Sequence, residues 1–250
     1  MQITRRDFLE AVMVVSAYKA LEGVAFAGGY EKHYKFRGDV KIWDTVTVPF
    51  IKVDATLDVL IDGTTYTATL KVFPTGNENA PYYHHTAFGL SGRKLMPKTS
   101  SVRRDFPWYT RIVGAYRKDA SELTFEYPMD KEAFFSGSDK DVRGKVTLIP
   151  QTSLVGKYVG ATDILTAIVQ KMMDARHKRE IAREIPVVGN KGNLNMANAQ
   201  FGDGEVKITP NDSSIHFESA RVQLDQNSEP TQIAIDKINN KATITVIRII

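Results

Sequence analysis

Cysteine is absent from this chain of 250 residues. Its absence excludes disulfide bonds, thiolate metal ligands and a cysteine nucleophile. A strong net charge is also lacking, because 33 Lys and Arg residues face 29 Asp and Glu residues, for a formal net charge of +4. So small a charge argues against a nucleic-acid partner. Beyond the N-terminal segment, no apolar run approaches the ~20 residues that a membrane-spanning helix needs.

An export pattern is present at the N-terminus. Arg5 and Arg6 follow a threonine, Phe8 and Leu9 come next, and residues 11–17 are apolar. This arrangement resembles the twin-arginine translocation signal, whose receptor reads two guanidinium groups and the aromatic residue after them. The sequence therefore predicts a protein that is exported to the periplasm.

The same segment ends in small residues that suit a signal peptidase. We expect residues 1–27 to be a signal peptide cleaved after Ala27, and residues 28–250 to form one mainly β periplasmic domain. Lys19 and Glu22 depart from the uncharged apolar stretch that such signals usually have. The alternative is an ordinary amphipathic helix that happens to begin with two arginines.

Alternating apolar and polar residues from Tyr34 to Leu148 predict antiparallel strands. The clearest hairpin joins residues 55–61 to residues 64–73 through Asp62 and Gly63, because glycine supplies the positive φ that a two-residue turn requires. Further strands are predicted at residues 82–90, 108–117, 121–127, 142–149 and 242–247, with turns at 139–141 and 202–204.

One segment has the period of a helix. Apolar residues recur at spacings of three and four from residue 164, with Thr162 or Asp163 as the N-cap, and they are Ile164, Leu165, Ile168, Val169, Met172 and Met173. We expect the helix to run to about Glu184 and to cover one side of a sheet with its basic end solvated. The alternative is a basic amphipathic helix that lies on a membrane. The basic end consists of Lys171, Arg176, Lys178, Arg179 and Arg183. The apolar stripe of the helix is either packed core or one wall of a ligand cavity.

Scattered positions resemble the bacterial exported proteins grouped as family 3108 of the domains of unknown function. They are residues 65–68, 85–92, 95–97, 163–167 and 229–233. The resemblance implies an envelope protein with a large curved antiparallel sheet, an open or half-barrel like that of lipoprotein carriers, wrapped around one helix. It brings no catalytic residues to carry over.

No catalytic, cofactor or metal motif is found, and we expect no cofactor and no metal. His84 and His85 are neighbours in a predicted strand, so their side chains point to opposite faces. At most one of them could join His33 or His216 in a metal site, and a structural role is the commoner meaning of such a pair.

Two groups of residues are candidates for ligand binding. Arg103, Arg104, Trp108 and Arg111 combine guanidinium groups with an aromatic ring, which suits anionic headgroups, sugars or acidic polymers. The alternative is a plain strand with inward aromatic residues and solvated arginines. The second group lies on the apolar stripe of the helix and consists of Ile164, Ile168 and Met172.

The sequence thus favours a protein that binds a hydrophobic or amphipathic ligand of the envelope, such as a lipid, an acyl chain or an envelope polymer, or that binds an assembly partner. The alternative is an enzyme acting on envelope polysaccharide or peptidoglycan. Its acid and base would come from carboxylates near aromatic residues, such as Glu122, Glu126 and Asp130.

Overall fold

A computed structural model describes most of the chain after residue 28. The described residues are 29–42, 50–63, 65–79, 82–91, 94–104, 121–127, 134–141, 144–153, 161–177, 184–188, 194–211, 219–238 and 242–249. The proposed export signal, including Arg5, Arg6, Phe8 and Leu9, lies outside them, as does the predicted strand at residues 108–117.

Fourteen strands and one helix make up the described fold. The elements are β1 (Tyr30–Ile42), β2 (Phe50–Ile61), β3 (Tyr66–Pro74), β4 (Tyr82–Ser91), β5 (Lys94–Arg104), β6 (Ser121–Glu126), β7 (Phe134–Asp141), β8 (Val146–Ser153), α1 (Ile164–Arg176), β9 (Glu184–Val188), β10 (Leu194–Gly202), β11 (Glu205–Pro210), β12 (Ser219–Leu224), β13 (Pro230–Ile238) and β14 (Ala242–Arg248).

All fourteen strands belong to one antiparallel sheet. Their order is β8-β7-β6-β5-β4-β3-β2-β1-β14-β13-β12-β11-β10-β9, so β1 and β14 join two meanders in the middle. Within the described residues the sheet is open, with β8 and β9 as its edge strands. It wraps around α1, which contacts β3, β4 and β5 in one arm and β9 and β11 in the other. The predicted fold class, a large curved antiparallel sheet around one helix, is confirmed.

Alternation of side chains explains why these segments form strands with one buried face. In β2, Val53, Ala55, Leu57, Val59 and Ile61 are all buried, and the residues between them are half-buried. Because successive side chains of a strand point to opposite faces, every second residue of β2 enters the core. The inward residues of both meanders and the apolar residues of α1 form one large core.

The hairpin between β2 and β3 is confirmed, but its predicted two-residue turn is wrong. Ile61 pairs with Tyr66, which leaves residues 62–65 between the paired strands. Gly63 has the expected positive φ of +90°. The turn is longer because the Thr65 N–H donates to the Asp62 carboxylate at 2.6 Å and the Asp62 N–H donates to the Thr65 carbonyl at 3.2 Å.

A two-residue turn occurs instead between β10 and β11, where a turn was also predicted. Gly202 pairs with Glu205, and the two residues between them have positive φ, +52° at Asp203 and +73° at Gly204. Positive φ at both central residues is the requirement of a type I′ turn, whose twist matches that of the flanking strands.

Among the described residues from 50 to 153, two strands, β5 and β7, have no counterpart among the predicted strands. Pro97 hides the strand pattern of β5 in the sequence, because proline ordinarily argues against a strand. In the structure Pro97 pairs with Phe88, next to an irregularity in the β4–β5 ladder. Strands tolerate proline at such positions. Residues 139–141 lie in β7 rather than in a turn. The chain turns after them, where the Gly144 N–H donates to the Asp141 carbonyl at 3.0 Å.

The helix begins as predicted but ends earlier. Asp163 is the N-cap, and its carboxylate accepts a hydrogen bond from the Thr166 N–H. The last helical residue is Arg176, His177 is the C-cap, and Glu184 already belongs to β9. A helix through Glu184 is excluded because Ile185 precedes a proline, which favours extended backbone, and pairs with β10.

Gly38 lies where the two meanders join. It pairs with Val246 of β14 on one side and with Val53 of β2 on the other. A Cβ atom at residue 38 would lie 1.9 Å from the Thr245 carbonyl oxygen and 2.7 Å from the Val246 Cα. The backbones of β1 and β14 therefore approach more closely than any side chain at this position allows.

Candidate functional site

The helix α1 is buried on nearly all sides, although many of its residues are polar. Its buried residues include apolar Leu165, Ile168 and Met172, but also Lys171 and Asp174. A surface helix would place such charges in water, whereas the curved sheet covers both flanks of this one. The polar groups of α1 and their partners are therefore the candidate functional site.

The start of α1 is tied to β4 by a buried carboxylate. Asp163 is 3% exposed, and its Oδ1 accepts from the Thr166 N–H at 2.9 Å. Its Oδ2 accepts from the Thr166 hydroxyl at 2.6 Å and from the Thr86 hydroxyl of β4 at 3.0 Å. Three donors thus satisfy one buried negative charge, as such a charge requires.

His84 stands beside the same carboxylate. Its Nε2 lies 3.3 Å from Asp163 Oδ1, and both side chains are 5% exposed. The Nε2 atom nevertheless has no hydrogen bond of good geometry. Burial alone would raise the pKa of the Asp163 carboxyl, but His84 and the Thr166 donors outweigh burial, and this pKa lies below its ordinary value.

A tyrosine borders this group from the other side. Tyr127, which follows β6, is buried, and its hydroxyl lies 3.4 Å from the Ser100 hydroxyl of β5. Burial raises the pKa of the Tyr127 phenol well above its ordinary value, and the negative charge of Asp163 raises it further. Asp163, His84 and Tyr127, with the hydroxyl groups around them, therefore join β4, β5, the end of β6 and α1.

Polar contacts continue along the same side of α1. Gln170 Oε1 accepts from the Leu95 N–H of β5 at 2.5 Å, and Gln170 Nε2 donates to Asp174 Oδ1 at 2.7 Å. Together with Asp163 and Thr166, these residues recur at spacings of three and four. They form a polar seam, defined as Asp163, Thr166, Gln170 and Asp174, that faces β4 and β5.

Lys171 lies next to this polar seam, and its burial contradicts the prediction that it is solvated. Arg176 is exposed as predicted, and Lys178, Arg179 and Arg183 lie outside the described residues. The Lys171 side chain is 4% exposed, and its Nζ lies 3.6 Å from Asp174 Oδ2. Burial lowers the pKa of Lys171, the Asp174 carboxylate opposes that effect, and the positive charge of Lys94 lowers the pKa further. The curved sheet reaches farther around α1 than the sequence indicated.

Lys94 begins β5, directly before Leu95. Although Lys94 is exposed as a residue, the protein around its ammonium group shields that group from water and lowers its pKa. The positive charges of Lys94 and Lys171 are close enough to repel one another. An anion placed between them would relieve this repulsion.

The opposite end of α1 is held by a charged network. Arg176 stacks over the Tyr30 ring at 5.1 Å, and its guanidinium lies 4.0 Å from Glu229. Glu229 also pairs with Lys32 at 2.6 Å and with Arg248 at 3.6 Å. Opposite charges compensate one another here, so this network fixes the helix end to β1, β13 and β14.

The structure divides the sequence-predicted ligand-binding residues between two faces. Ile168 and Met172 are buried in the main core, and Ile164 is half-buried against it. Arg103 lies on the outward face of β5, opposite Tyr83 and Glu122 on the neighbouring strands. The other predicted residues, Trp108, Arg111 and the side chain of Arg104, lie outside the described residues. Among the described residues, Arg103 therefore does not share a site with the apolar residues of α1.

The carboxylates considered for an enzyme do not face one another. Glu122 and Glu126 share the outward face of β6, four positions apart, which corresponds to roughly 13 Å along a strand. Acid and base of a glycosidase lie ~5–9.5 Å apart. Asp130 lies outside the described residues.

The histidines occupy opposite faces, as predicted. His84 points inward, whereas His85 contacts Thr69 at 2.8 Å and stacks on Tyr83 outside the core. Among the described residues, no three His, Asp or Glu side chains come together to hold a metal ion. His33 pairs with Asp58 instead, and His216 is not described.

Sequence reasoning missed the polar side of α1. Its signal was present, since polar residues recur at helical spacing between the apolar ones. Their partners could not be identified, however, because Thr86 lies 77 positions before Asp163 and 80 before Thr166.

No family model, curated protein or solved structure matches this chain. In the described part of the chain, no helix combines the length and the apolar character needed to span a bilayer. The resemblance to the family of exported proteins and the export route stay predictions.

Proposed function

We propose that this protein is an exported binding protein of the bacterial envelope, which holds an amphipathic ligand with an anionic head group between α1 and the curved sheet. The observation that carries the proposal is Lys171. Its side chain is 4% exposed, and the positive charge of Lys94 acts on its ammonium group. Burying an ammonium group costs free energy, and the Asp174 carboxylate at 3.6 Å offsets part of that cost. An anionic head group would add a second negative charge beside the two lysines.

The two sides of α1 suit the two parts of such a ligand. Ile168, Met172 and Leu165 offer apolar surface to an acyl chain, and unbranched methionine adapts to chains of different shape. Lys171 and Lys94 offer positive charge to a carboxylate or phosphate head group. A ligand that combines both features is a fatty acid, a phospholipid or the acylated part of a lipoprotein.

The export pattern supports the choice of ligand. A protein delivered to the periplasm by the paired arginines at residues 5 and 6 would meet lipids and acylated proteins in transit across the envelope. The separation of Glu122 from Glu126 on one outward strand face argues against the polysaccharide-cleaving alternative.

Native mass spectrometry of protein purified from the periplasm of producing cells tests the proposal directly. The expected result is a bound species whose mass matches an acylated anionic molecule. A wild-type protein that carries no such species, and that also fails to bind a fluorescent long-chain fatty acid, would refute it.

A lysine substitution tests the role of the head group. Lys171→Met should weaken binding of the fluorescent fatty acid by about tenfold, because it removes a charge-assisted contact. Lys71→Met is the matched control, since Lys71 is exposed on the outward face and lies over the Tyr83 ring. Equal binding by both variants would contradict the assignment of Lys171.

Exposed apolar residues on β8 favour a second candidate function, the docking of an assembly partner. Leu148 is 79% exposed and Val146 is 54% exposed on this edge strand. An edge strand with apolar side chains can accept an extended segment as an added strand. Photo-crosslinks in cells from position 148 to one defined envelope protein, absent from exposed position 203, would favour this function.

A further inference from the structure

Residues 161–163, which we name the clasp, connect the two arms of the sheet. The Thr162 N–H donates to the Pro186 carbonyl and the Val188 N–H donates to the Thr162 carbonyl, both at 2.9 Å. These bonds make a parallel bridge between Thr162 and Val187 of the edge strand β9. The clasp therefore covers the free edge of one arm.

The other end of the clasp holds the opposite arm. Asp163 accepts from the Thr86 hydroxyl of β4 and lies beside His84. Ala161 is 4% exposed and packs in a small apolar cluster that spans both arms, together with Val102, Leu123, Phe125, Tyr127 and Val188. Within the described residues, no strand pair joins β9 to this arm, so their contact depends on the clasp and on the packing of Val188 in this cluster.

Access to α1 requires this contact to open. Ten of the thirteen residues of α1 are buried, and the main core packs against its apolar side. The clasp is joined to β9 by a single bridge, whereas the β1–β14 junction is a ladder of seven residue pairs. Opening at the clasp therefore breaks fewer backbone hydrogen bonds than opening at the junction.

We propose that the clasp is a gate, which means that its release lets the two arms of the sheet separate around α1. We propose further that the buried Asp163–His84 pair is the lock of this gate, because it holds the clasp closed. In the closed state the Asp163 carboxylate holds the start of α1, Thr86 and His84 together. In the open state residues 161–163 leave β9, and the inner surface around α1 becomes accessible. The ligand's use of this gate rests on the proposed function, but the opening of the clasp does not.

Among the described residues, few ionisable groups lie around the lock. His84 faces Asp163 from β4, and Tyr127 faces it from the end of β6. Ser100 of β5 and Thr166 of α1 contribute only hydroxyls, and β9 carries no ionisable side chain from residue 185 to residue 188. The charge of Asp163 therefore has His84 as its main electrostatic partner.

Hydrogen exchange measured by mass spectrometry on the purified protein tests the gate without a ligand. Asp163→Asn is the informative variant, because asparagine caps a helix as well as aspartate does but removes the charge. We expect exchange of the Thr162 and Val188 amides to rise by about tenfold or more, since hydrogen bonds to a charged group are lost. Amides of β1, β2 and β3 should keep their protection.

His84→Gln and His85→Gln form a matched pair of neighbours on opposite faces of β4. The first should raise exchange at the clasp, and the second should leave it unchanged. If Asp163→Asn and His84→Gln leave exchange at residues 162 and 188 unchanged, or raise it only together with that of the whole sheet, the proposal is overturned.

A crosslink connects the gate to ligand entry. The chain contains no cysteine, so Thr162→Cys combined with Val187→Cys places one disulfide across the bridge. The oxidised variant should take up the fluorescent fatty acid at least about tenfold more slowly than the reduced variant, because a closed disulfide holds the bridge shut. Equal uptake in both states would overturn the gate. If the wild type takes up no fatty acid, the proposed function fails, and the exchange data alone decide whether the clasp opens.

Discussion

The junction of β1 and β14 provides the sharpest test of the fold. Gly38 lies at its centre, and a Cβ atom there would lie 1.9 Å from the Thr245 carbonyl oxygen. The Val246 Cα would lie at 2.7 Å. Both neighbours are backbone atoms of a paired strand, so neither can move aside as a flexible side chain would. Gly38→Ala must push β14 away from β1 by more than an ångström (about 1.5 Å to reach ordinary contact).

The cost follows from what that displacement disturbs. Overpacking in a well-packed core costs about 1–3 kcal/mol, and each ladder hydrogen bond that is lost adds about 1 kcal/mol. We therefore expect Gly38→Ala to lower the free energy of unfolding by about 3 kcal/mol or more. In a protein of this size that loss corresponds to a fall in Tm of about 10 °C.

Urea unfolding followed by circular dichroism measures the effect, with Gly202→Ala as the control. No heavy atom lies within 4 Å of a Cβ placed at Gly202, and its φ is outside the left-handed region. That control should be neutral or slightly stabilising, because alanine reduces the entropy of the unfolded chain. If both variants unfold at the same urea concentration, the β1–β14 junction is not as the structure has it.

Three further changes test the export signal, a turn and the core. Replacing Arg5 and Arg6 by Lys should leave precursor in the cytoplasm, because ammonium groups do not reproduce the planar guanidinium contacts; undiminished periplasmic protein would contradict this. Gly63→Val should cost about 1–2 kcal/mol in thermal unfolding through left-handed strain, and no loss would exclude the turn. Ile168→Ala should cost ~2–5 kcal/mol if α1 is packed core, and a smaller loss with altered fatty-acid binding would indicate a cavity wall.

Acid should reduce the stabilisation of the folded state that the Asp163 carboxylate provides. Its folded pKa is lowered, so its contribution to stability is present at neutral pH and is lost as the pH falls through that lowered value. We expect stability measured by urea unfolding to decline below about pH 4. Asp163→Asn should remove this part of the decline, and an unchanged profile in that variant would show that other carboxylates are responsible.

The strands were predictable wherever one face is apolar and the other polar. Residues of β2 and β3 alternate in this way, and the structure pairs them as a hairpin. Such local signals failed for β5 and β7, because Pro97 and Gly137 belong to the residue types that ordinarily interrupt strands. At Gly137 the Phe125 ring occupies the place where a side chain would be, with its Cδ1 atom 2.5 Å from that point. Only the fold explains this glycine.

The helix shows the same division between local and long-range information. Asp163 was predictable as a cap, since its role depends on Thr166 three positions later. The burial of Lys171 was not, because it depends on how far the sheet curves around the helix. The contacts of Asp163 with Thr86 and His84 join distant parts of the chain, which a single sequence does not connect.

The pairing of β1 with β14 also sets the order in which the molecule can assemble. All other strand pairs in the sheet join consecutive strands, so each meander can form from hairpins as soon as its own residues are available. The central ladder must wait until β14 has been synthesised, and closing it requires the largest loop in the molecule. Until then each meander exposes an unpaired strand at its inner edge, which is a surface prone to aggregation. A channel that accepts only unfolded chains would move the first meander before it could pair with β14. A route that carries folded proteins would move the complete sheet, with its central ladder formed, as one body.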